Sequence, residues 1–486
     1  RQLYCVRDQM GILPFFYTQV DDVFVFGSEI KALLEYPGVT REVDLVGLDQ
    51  VFTFAGLVSP RTMFRNIHSL ENGHYLRVDE QGNIHKHEYW DLDYPENGSC
   101  NGKIDEQVYT DRLEELFEQS IRLRLRADVP SGFYLSGGLD SSMIAMKVQQ
   151  LLPGVRKDAF SIDFVESQYS ESAYQKLVAR ESNAHLLQRT FFYNDICERL
   201  QHSVYHSECP IKETYNTASL VLSEAVRARG IKVIQSGEGG DELFAGYVGY
   251  RFDKMRQGNL VPDWAGEEEK RLRYELWGDE DFCYETNYLD FTGEKQQLYS
   301  DGINASFHEV NCLNYPLINR QKVFNRNILH RRAYIDYKIR LVDHLVSDHG
   351  DRMAMANSVE VRYPFLDKDL VEFSTRIPAE LKLKDLEEKY ILKKLAGRFV
   401  PKAVFEREKF HFIAPGSPYL LQKNVEFVQD LLSYSQIKRQ GYFNPDQVEF
   451  LKKMYSEPGY SVNAPYETDW LIIVLTFGIL LDTYFA

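Results

Sequence analysis

The sequence predicts an α/β protein in which a β-rich N-terminal part precedes a doubly wound parallel sheet and a helical C-terminal region. Three observations support this fold class. Short runs of strand-forming residues separated by turn residues fill roughly the first 90 positions, which is typical of an antiparallel sheet. Apolar strand candidates then alternate with helical periodicity up to about residue 250, and this alternation predicts parallel strands. Helical spacing dominates from there to residue 486.

The first part of the chain carries the β-rich pattern. Its strand candidates are 2–6, 15–17, 22–26 and 74–78, and the pattern ends near Trp90. The chain has no initiator methionine and opens directly in a strand candidate, so we expect earlier strands of this sheet to be missing from it. The turn-rich segment PENGSCNG predicts a linker. We therefore expect domains at 1–94 and 105–486, joined by a linker at 95–104.

The second part of the chain begins with a helix. Helical spacing relates its apolar residues Leu113, Leu116, Phe117, Ile121 and Leu125. An apolar strand at 132–135 follows, and after a glycine turn a second helical pattern runs to Pro153 and Gly154. The later strand candidates are 160–164, 187–192 and 231–235.

Composition excludes several classes of protein. The 486 residues suffice for two or three domains, and their net charge of −16 disfavours nucleic-acid binding, which needs a basic surface. The six cysteines form no CxxC pair, so we expect neither structural zinc nor thioredoxin-type chemistry, and we expect a reducing, cytoplasmic location. The longest apolar run, 471–481, is too short to span a bilayer and predicts a buried final helix.

The segment 135–142, LSGGLDSS, predicts an anion site. It lies between a strand candidate and a helix, where glycines let the backbone approach a phosphate while hydroxyls and helix N-terminal amides donate hydrogen bonds. Asp140 would repel a phosphate unless a cation bridges the two, which favours bound Mg²⁺. The alternative is an ordinary glycine turn between a strand and a helix. The sequence contains no Walker A motif, GxxxxGK[ST].

Several motifs, in the same order along the chain, resemble those of one enzyme family. SGGLDS resembles the pyrophosphate loop of the N-type ATP pyrophosphatases. The segment 236–247, SGEGGDELFAGY, resembles the SGEGxDExFxGY motif of the glutamine-hydrolysing asparagine synthetases. Residues 351–367 resemble that family's DRMxMAxxxExRxPFLD motif, and residues 388–392 are similar to its EKxxLR-type helix.

The N-terminal part resembles the same family. Residues 7–14, RDQMGILP, and 27–33, GSEIKAL, resemble segments in the second half of a class II glutamine amidotransferase domain. The resemblance therefore covers almost the whole chain. It implies the C-terminal half of an Ntn-type β-rich glutaminase domain, followed by a PP-loop ATP pyrophosphatase domain with a helical C-terminal region.

The resemblance implies an ATP-dependent amide-forming ligase. Such an enzyme adenylates a carboxylate, aspartate by default, and transfers ammonia to it, giving asparagine, AMP and pyrophosphate. The implied cofactors are ATP and Mg²⁺. The alternatives are a related amidotransferase or cyclase that acts on a specialised-metabolite or peptide carboxylate, and a glutaminase-deficient synthetase. A tRNA-thiolating enzyme would require paired cysteines and a basic surface, and the sequence predicts neither.

The resemblance implies ammonia as the nitrogen donor, which the family normally takes from glutamine. That chemistry uses an N-terminal cysteine as nucleophile, with its own amine as base. Cys5 lies within a strand candidate, and we expect it to be a small buried side chain rather than this nucleophile. We therefore expect this chain alone to use ammonium rather than glutamine, with a separate N-terminal glutaminase segment as one partner and a second copy of the chain as another.

The resemblance also implies roles for individual residues. It places the adenine between Leu135 and Ile162 and the rest of the nucleotide near Ser236 and Gly237. The loop residues implied at the phosphates are Ser136, Gly137, Gly138, Leu139, Asp140 and Ser141. The alternative for Leu135 and Ile162 is plain strand core, although the carboxyl edge of a parallel sheet can serve both purposes.

The charged residues have implied roles of their own. Asp140 and Asp241 would share the Mg²⁺, and Lys389 would hold the β and γ phosphates as a point charge. Glu238 would orient ammonia beside the acyl-adenylate and accept its proton. The alternatives are helix capping for the aspartates, a solvated lysine and a surface turn glutamate.

Four further residues are implied near the acceptor. Asp351 and Arg352 would brace the site as an ion pair. Arg407 and Lys409 resemble the basic pair of the family's RxKxxF segment. The identity of the acceptor stays open, because loops that contact it vary within the family.

Overall fold

The computed structural model describes residues 2–98, 104–165, 170–258, 260, 264–407, 415–462 and 467–486. Its strands are β1 (Leu3–Val6), β2 (Phe16–Val20), β3 (Val23–Gly27), β4 (His68–Ser69), β5 (His74–Val78), β6 (Ile84–Glu88), β7 (Ser131–Tyr134), β8 (Asp158–Phe164), β9 (His185–Phe191), β10 (Val233–Gln235) and β11 (Glu360–Arg362).

Helices fill most of the remaining described chain. The longer α-helices are Leu45–Thr53, Glu106–Arg124, Leu139–Leu151, Ser172–Glu181, Tyr193–Ser207, Tyr215–Ala228, Val248–Gln257, Glu267–Trp277, Tyr288–Leu298, Ile328–Ile335, Lys368–Arg376, Pro445–Tyr455 and Trp470–Tyr484, and a π-helix spans Asp336–Arg352. The shorter α-helices are Ile30–Leu33, Gly240–Phe244, Asp301–Asn304, Phe307–Val310, Met353–Met355, Ala379–Lys382, Tyr390–Ala396, Lys402–Phe405, Ser417–Gln422, Glu426–Leu431 and Tyr434–Gln440. Single 3₁₀ turns lie at Cys312–Asn314, Arg320–Lys322 and Pro364–Leu366.

Two three-stranded antiparallel sheets form the N-terminal part of the described chain. β5 lies between β1 and β6, and β2 lies between β3 and β4. Cys5 faces the interior from β1, opposite Leu76 on β5, and is only 6% exposed. The expected small buried side chain is therefore confirmed.

A five-stranded parallel sheet forms the centre of the second part. Its strand order is β11-β10-β7-β8-β9. The chain proceeds from β7 outward through β8 to β9, and then returns to the other side of β7 for β10 and β11. The order thus reverses between β7 and β10, and in open α/β sheets a ligand crevice opens beyond the carboxyl ends of the strands at such a switch point.

The predicted fold class is confirmed, although the sequence analysis did not identify every strand and helix. Among the missed strands, β4 and β11 have two and three residues, too few for a periodic signal, and β6 consists mostly of polar residues. One missed helix is Leu45–Thr53, which begins at an Asp44 cap that accepts a hydrogen bond from Gly47 N. The predicted linker at 95–104 lies partly outside the described residues, which omit 99–103.

The C-terminal helix Trp470–Tyr484 is buried, as predicted. Every residue from 471 to 480 is buried, because the helix is apolar around its whole circumference. Its polar Thr476 donates a hydrogen bond to Ile211 O, so the hydroxyl is satisfied inside the core. No helix among the described residues is both long and apolar enough to cross a membrane.

A buried ion pair joins the N-terminal part to the helical region. Lys295 Nζ lies 2.8 Å from Asp49 Oδ2, and both side chains are fully buried. The Asp49 carboxylate also accepts hydrogen bonds from Tyr299 OH and Cys312 N, each at 2.9 Å. These partners satisfy a charge that would otherwise be costly to bury.

Removal of one partner of this pair should destabilise the protein strongly. We expect Lys295→Ala to lower the free energy of unfolding by about 3–5 kcal/mol, because it leaves the Asp49 charge buried and unpaired. A matched control is Lys402→Ala, since Lys402 and its partner Glu406 are 76% and 56% exposed. The control should change stability by less than about 1 kcal/mol. Thermal unfolding of both variants measures the difference, and equal midpoints would contradict the prediction.

Candidate active site

Two glycine-containing loops meet at the switch point of the parallel sheet. One follows β7 and leads into helix Leu139–Leu151, and the other follows β10 and leads into helix Gly240–Phe244. A Cβ on Gly240 would lie 2.7 Å from Asp140 Cγ, and a Cβ on Gly237 would lie 3.2 Å from Asp140 Cβ. The absence of side chains at these glycines therefore lets the two loops touch.

The loop after β7 holds its shape through its own hydroxyls. Gly138 N donates a hydrogen bond to Ser136 Oγ at 3.2 Å, and Ser136 N donates to Ser141 Oγ at 3.2 Å. Gly137 adopts a φ of +84°, in the left-handed region that favours glycine. The first turn of helix Leu139–Leu151 thus presents its backbone amides at the end of the loop, the usual arrangement for binding an anion.

Lys389 links the two loops through their carboxylates. Its Nζ lies 2.5 Å from Asp140 Oδ2 and 2.8 Å from Asp241 Oδ1, and Lys389 is 5% exposed. Burial by itself would lower the pKa of Lys389, but the Asp140 and Asp241 carboxylates outweigh that effect and raise it. The lysine is therefore fully charged. Two carboxylates and one ammonium leave a net charge of −1 at this point.

Gly246 packs directly against this carboxylate–lysine cluster of Asp140, Lys389 and Asp241. A Cβ on Gly246 would lie 2.0 Å from Asp241 Oδ1 and 2.2 Å from Lys389 Cε. A hydrogen bond from Gly246 N to Asp241 O, at 2.8 Å, holds the backbone there. The glycine of the AGY sequence at 245–247 therefore leaves the space that the cluster occupies.

Glu238 lies on the loop after β10, beside the cluster. Its Oε2 atom is buried and has no hydrogen-bond partner among the described residues. Burial raises the pKa of Glu238; a hydrogen bond from Ser236 opposes this rise, and the charges of Asp140 and Asp241 add to it. A buried carboxyl group with a raised pKa is a suitable proton acceptor.

A cavity of about 1080 Å³ opens in front of the two loops. The predicted residues that line it are Leu135, Ser136, Gly138, Asp140, Ser141, Ile162, Ser236, Gly237, Glu238 and Asp241. Gly137, Leu139 and Lys389 belong to the loops and the cluster but do not line the cavity. The structure thus brings together residues from β7, β8 and β10 that are up to about 100 positions apart in the sequence.

Sequence reasoning missed several cavity residues. Tyr134, Gln175, Glu213, Tyr247 and Arg340 also line it. Gln175 donates a hydrogen bond to Ile162 O at 2.9 Å, which fixes the end of β8. Tyr247 falls within a quoted motif, but nothing in the sequence around Gln175 or Arg340 relates them to the glycine loops.

The predicted ion pair between Asp351 and Arg352 is not formed. Arg352 pairs with Glu208 at 2.9 Å and donates to His206 O at 3.0 Å. Neither residue lines the main cavity. Burial raises the pKa of Asp351 to about 7, with Arg352 opposing the rise from a distance.

Arg407 lies at the outer side of the glycine loop. It donates a hydrogen bond to Gly137 O at 3.0 Å and forms an ion pair with Glu171. Its guanidinium also stacks 4.1 Å above the centre of the Tyr174 ring. It is not among the residues that line the cavity. Lys409 lies outside the described residues, so its predicted place beside Arg407 stays a prediction.

The fold places two glycine-containing loops and a cavity at the switch point of a parallel sheet. The chain belongs to the asparagine synthase family, whose sequence profile matches residues 112–475. A glutamine amidotransferase domain profile matches residues 1–90. The resemblance seen in the motifs is thereby confirmed, and the chain is an enzyme of the ATP-dependent amidotransferase and ligase kind.

Curated relatives match most of the chain. Amidase chyE of Penicillium rubens is 28% identical over 85% of this chain and 67% of its own length. Amidase chry2 of Gibberella zeae is 27% identical over 85% of this chain and 68% of its own length. Asparagine synthetase [glutamine-hydrolyzing] 1 of Bacillus subtilis is 26% identical over 92% of this chain and 70% of its own length.

Substitution of Gly246 should disable the carboxylate–lysine cluster. We expect Gly246→Ala to slow ATP-dependent turnover by about 100-fold, because the new Cβ displaces Asp241 and Lys389 from their positions. The matched control is Gly293→Ala, since a Cβ on Gly293 meets nothing within 4 Å. The control should keep normal turnover and an equal or higher unfolding temperature. Normal turnover in folded Gly246→Ala would show that the cluster does not need this geometry.

Proposed function

We propose that this protein is an ATP-dependent amide-forming ligase that adenylates a carboxylate and transfers ammonia to it. Aspartate is the default acceptor, which gives asparagine, and glutamine is the usual source of ammonia in this family. AMP and pyrophosphate leave. The observation that carries the proposal is the carboxylate–lysine cluster at the glycine loop, since it supplies both an anionic metal site and a cation for the departing pyrophosphate.

Asp140 and Asp241 fit a Mg²⁺ ion. They supply hard oxygen ligands from two segments in contact, and Gly237 and Gly240 permit that contact because a Cβ on either would meet Asp140. Bound Mg²⁺ would neutralise the negative charge that develops on the phosphates. Lys389, whose Nζ lies between the two carboxylates, would turn to the β and γ phosphates when the nucleotide binds. Its raised pKa keeps it charged for that role.

Leu135 and Ile162 would contact the adenine, and Ser236 and Gly237 the rest of the nucleotide. All four residues line the cavity, at the carboxyl ends of β7, β8 and β10. The serines and backbone amides of the loop after β7 would bind the phosphates. This arrangement would set the α-phosphate within reach of a carboxylate in the cavity.

Glu238 would act in the second half of the reaction. Its unpartnered Oε2 is buried beside the cluster, so it is positioned to orient ammonia and to take its proton as the amide forms. The attacking nitrogen forms a bond to the acyl carbon, the acyl–phosphate bond breaks, and AMP leaves with the bonding electrons. The proton released from nitrogen passes to the Glu238 carboxylate.

A different acceptor is the second candidate. Two fungal relatives are named amidases rather than asparagine synthetases. A panel of carboxylic acids, assayed for release of AMP and pyrophosphate with ammonia and with glutamine, separates the acceptors. Preference for aspartate supports the first candidate, and preference for a specialised-metabolite or peptide carboxylate supports the second.

Loss of either metal-site carboxylate should abolish activation. We expect Asp140→Asn and Asp241→Asn each to reduce carboxylate-dependent ATP–pyrophosphate exchange by about 100-fold or more, because each removes a metal ligand worth several kcal/mol in the transition state. Asp446→Asn is the control, since Asp446 also lies in the first turn of a helix but is exposed. Near-normal exchange in either folded variant would remove that residue from the metal site.

Substitution of Glu238 should separate the two steps. We expect Glu238→Gln to form the acyl-adenylate but to release amide slowly, so that acyl-AMP accumulates in a single turnover. In the unsubstituted enzyme the amidation rate should fall as the pH drops through the raised pKa of Glu238, since protonation removes the base. The variant should lack that dependence. A variant that never forms the adenylate would place Glu238 in the activation step instead.

A further inference from the structure

Three potential metal ligands converge on one face of the π-helix Asp336–Arg352. Asp348 and His349 lie four and five positions after His344. The wider turn of a π-helix brings residues at this spacing together. One ligand atom from each lies within 4.8 Å of the others. The centres of the two imidazole rings are 4.4 Å apart and the rings are perpendicular. We call these residues the His–Asp–His cluster.

The His–Asp–His cluster contains buried polar atoms without a partner. His349 is 6% exposed, and neither of its ring nitrogens forms a hydrogen bond with a described residue. Asp348 Oδ1 likewise has no partner among these residues, although Oδ2 accepts a hydrogen bond from Asn216 at 3.2 Å. Buried polar atoms in folded proteins are nearly always satisfied, and a metal ion would satisfy one ring nitrogen of His349 together with Asp348 Oδ1.

Both imidazoles are suited to donate a lone pair. Burial lowers the pKa of both His344 and His349 well below the ordinary value of an imidazole, and this favours the neutral ring. Tyr215 orients them. Its ring stacks on His349 with centres 3.7 Å apart, and its hydroxyl lies 3.3 Å from His344 Nε2.

The positive charges around the His–Asp–His cluster are already committed to other partners. Arg340 pairs with Glu285 and Asp336, at 3.4 and 3.5 Å. Lys212 donates hydrogen bonds to the backbone oxygens of Phe52 and Phe54, and Arg352 pairs with Glu208. The charge of Arg352 also acts on Asp348, but Asp348 Oδ1 has no hydrogen-bond partner among the described residues, so this oxygen can contribute to binding a divalent cation.

We propose that His344, Asp348 and His349 bind a transition-metal ion of the Zn²⁺ class. Two imidazoles and one carboxylate form a three-ligand set that leaves a fourth position for water. Imidazole ligands favour Zn²⁺ over Mg²⁺, so this site is chemically distinct from the oxygen site at Asp140 and Asp241. His344 and His349 line both the main cavity and a second, smaller one that reaches Phe16 and Ser69 of the N-terminal part. The metal would therefore fix the wall between the two cavities.

Titration of the full chain with Zn²⁺ and with Co²⁺ tests the proposal. A surface pair, His202 and His206, has its Nε2 atoms 2.9 Å apart and could bind the same ions. All titrations therefore use a His202→Gln background, with excess Mg²⁺ present to occupy the oxygen site. We expect one Zn²⁺ per chain by calorimetry, a higher unfolding temperature, and a visible Co²⁺ spectrum of the four-coordinate type.

Variants of the ligands show whether the bound ion lies at the His–Asp–His cluster. We expect His349→Gln and Asp348→Asn each to weaken Zn²⁺ affinity by about 100-fold or more and to abolish the Co²⁺ spectrum. The control is His330→Gln, since His330 is equally buried but lies on helix Ile328–Ile335, where its Nε2 donates a hydrogen bond to Ile377 O at 3.1 Å. It should bind Zn²⁺ normally. Absence of stoichiometric binding in the starting protein, or retention of binding in folded His349→Gln, would overturn the proposal.

Discussion

The contact of Lys389 with Asp140 and Asp241 is the interaction on which the rest of the site depends. It joins three segments that are distant in the sequence: the loop after β7, the loop after β10 and the start of helix Tyr390–Ala396. All three groups are largely buried, so each charge is stabilised by the opposite charge beside it. The strand order β11-β10-β7-β8-β9 makes the contact possible by placing β7 and β10 side by side.

The residues around this contact either leave room for it or respond to its charges. Gly237, Gly240 and Gly246 stand where a Cβ would meet the aspartates or the lysine. Glu238 lies close enough to Asp140 and Asp241 for their charges to help raise its pKa. A bound cation would reduce that repulsion, so occupancy of the proposed metal site and the protonation of Glu238 are expected to be linked. In this account one electrostatic cluster would serve both activation and amide formation.

The sequence located the parts of the site whose residues lie close together in the chain. The segment LSGGLDSS and the motif around Asp241 identified both loops, because their glycines and carboxylates are contiguous in the chain. The partner of Arg352 was predicted wrongly, because Glu208 is over 140 residues away and only the folded chain brings it near. The His–Asp–His cluster was not anticipated, since the sequence does not reveal that helix 336–352 is π-helical or that its side chains are buried together. The role of Lys389 required the family motif, as a lone lysine gives no signal of its own.

A crystal structure of the full chain with Mg²⁺ and a non-hydrolysable ATP analogue tests the central claim most directly. The account predicts one Mg²⁺ ligated by carboxylate oxygens of Asp140 and Asp241 and by phosphate oxygens, with Lys389 Nζ moved from between the carboxylates to the β and γ phosphates. The adenine should lie between Leu135 and Ile162. A nucleotide bound elsewhere, with Lys389 still held between both aspartates, would contradict it.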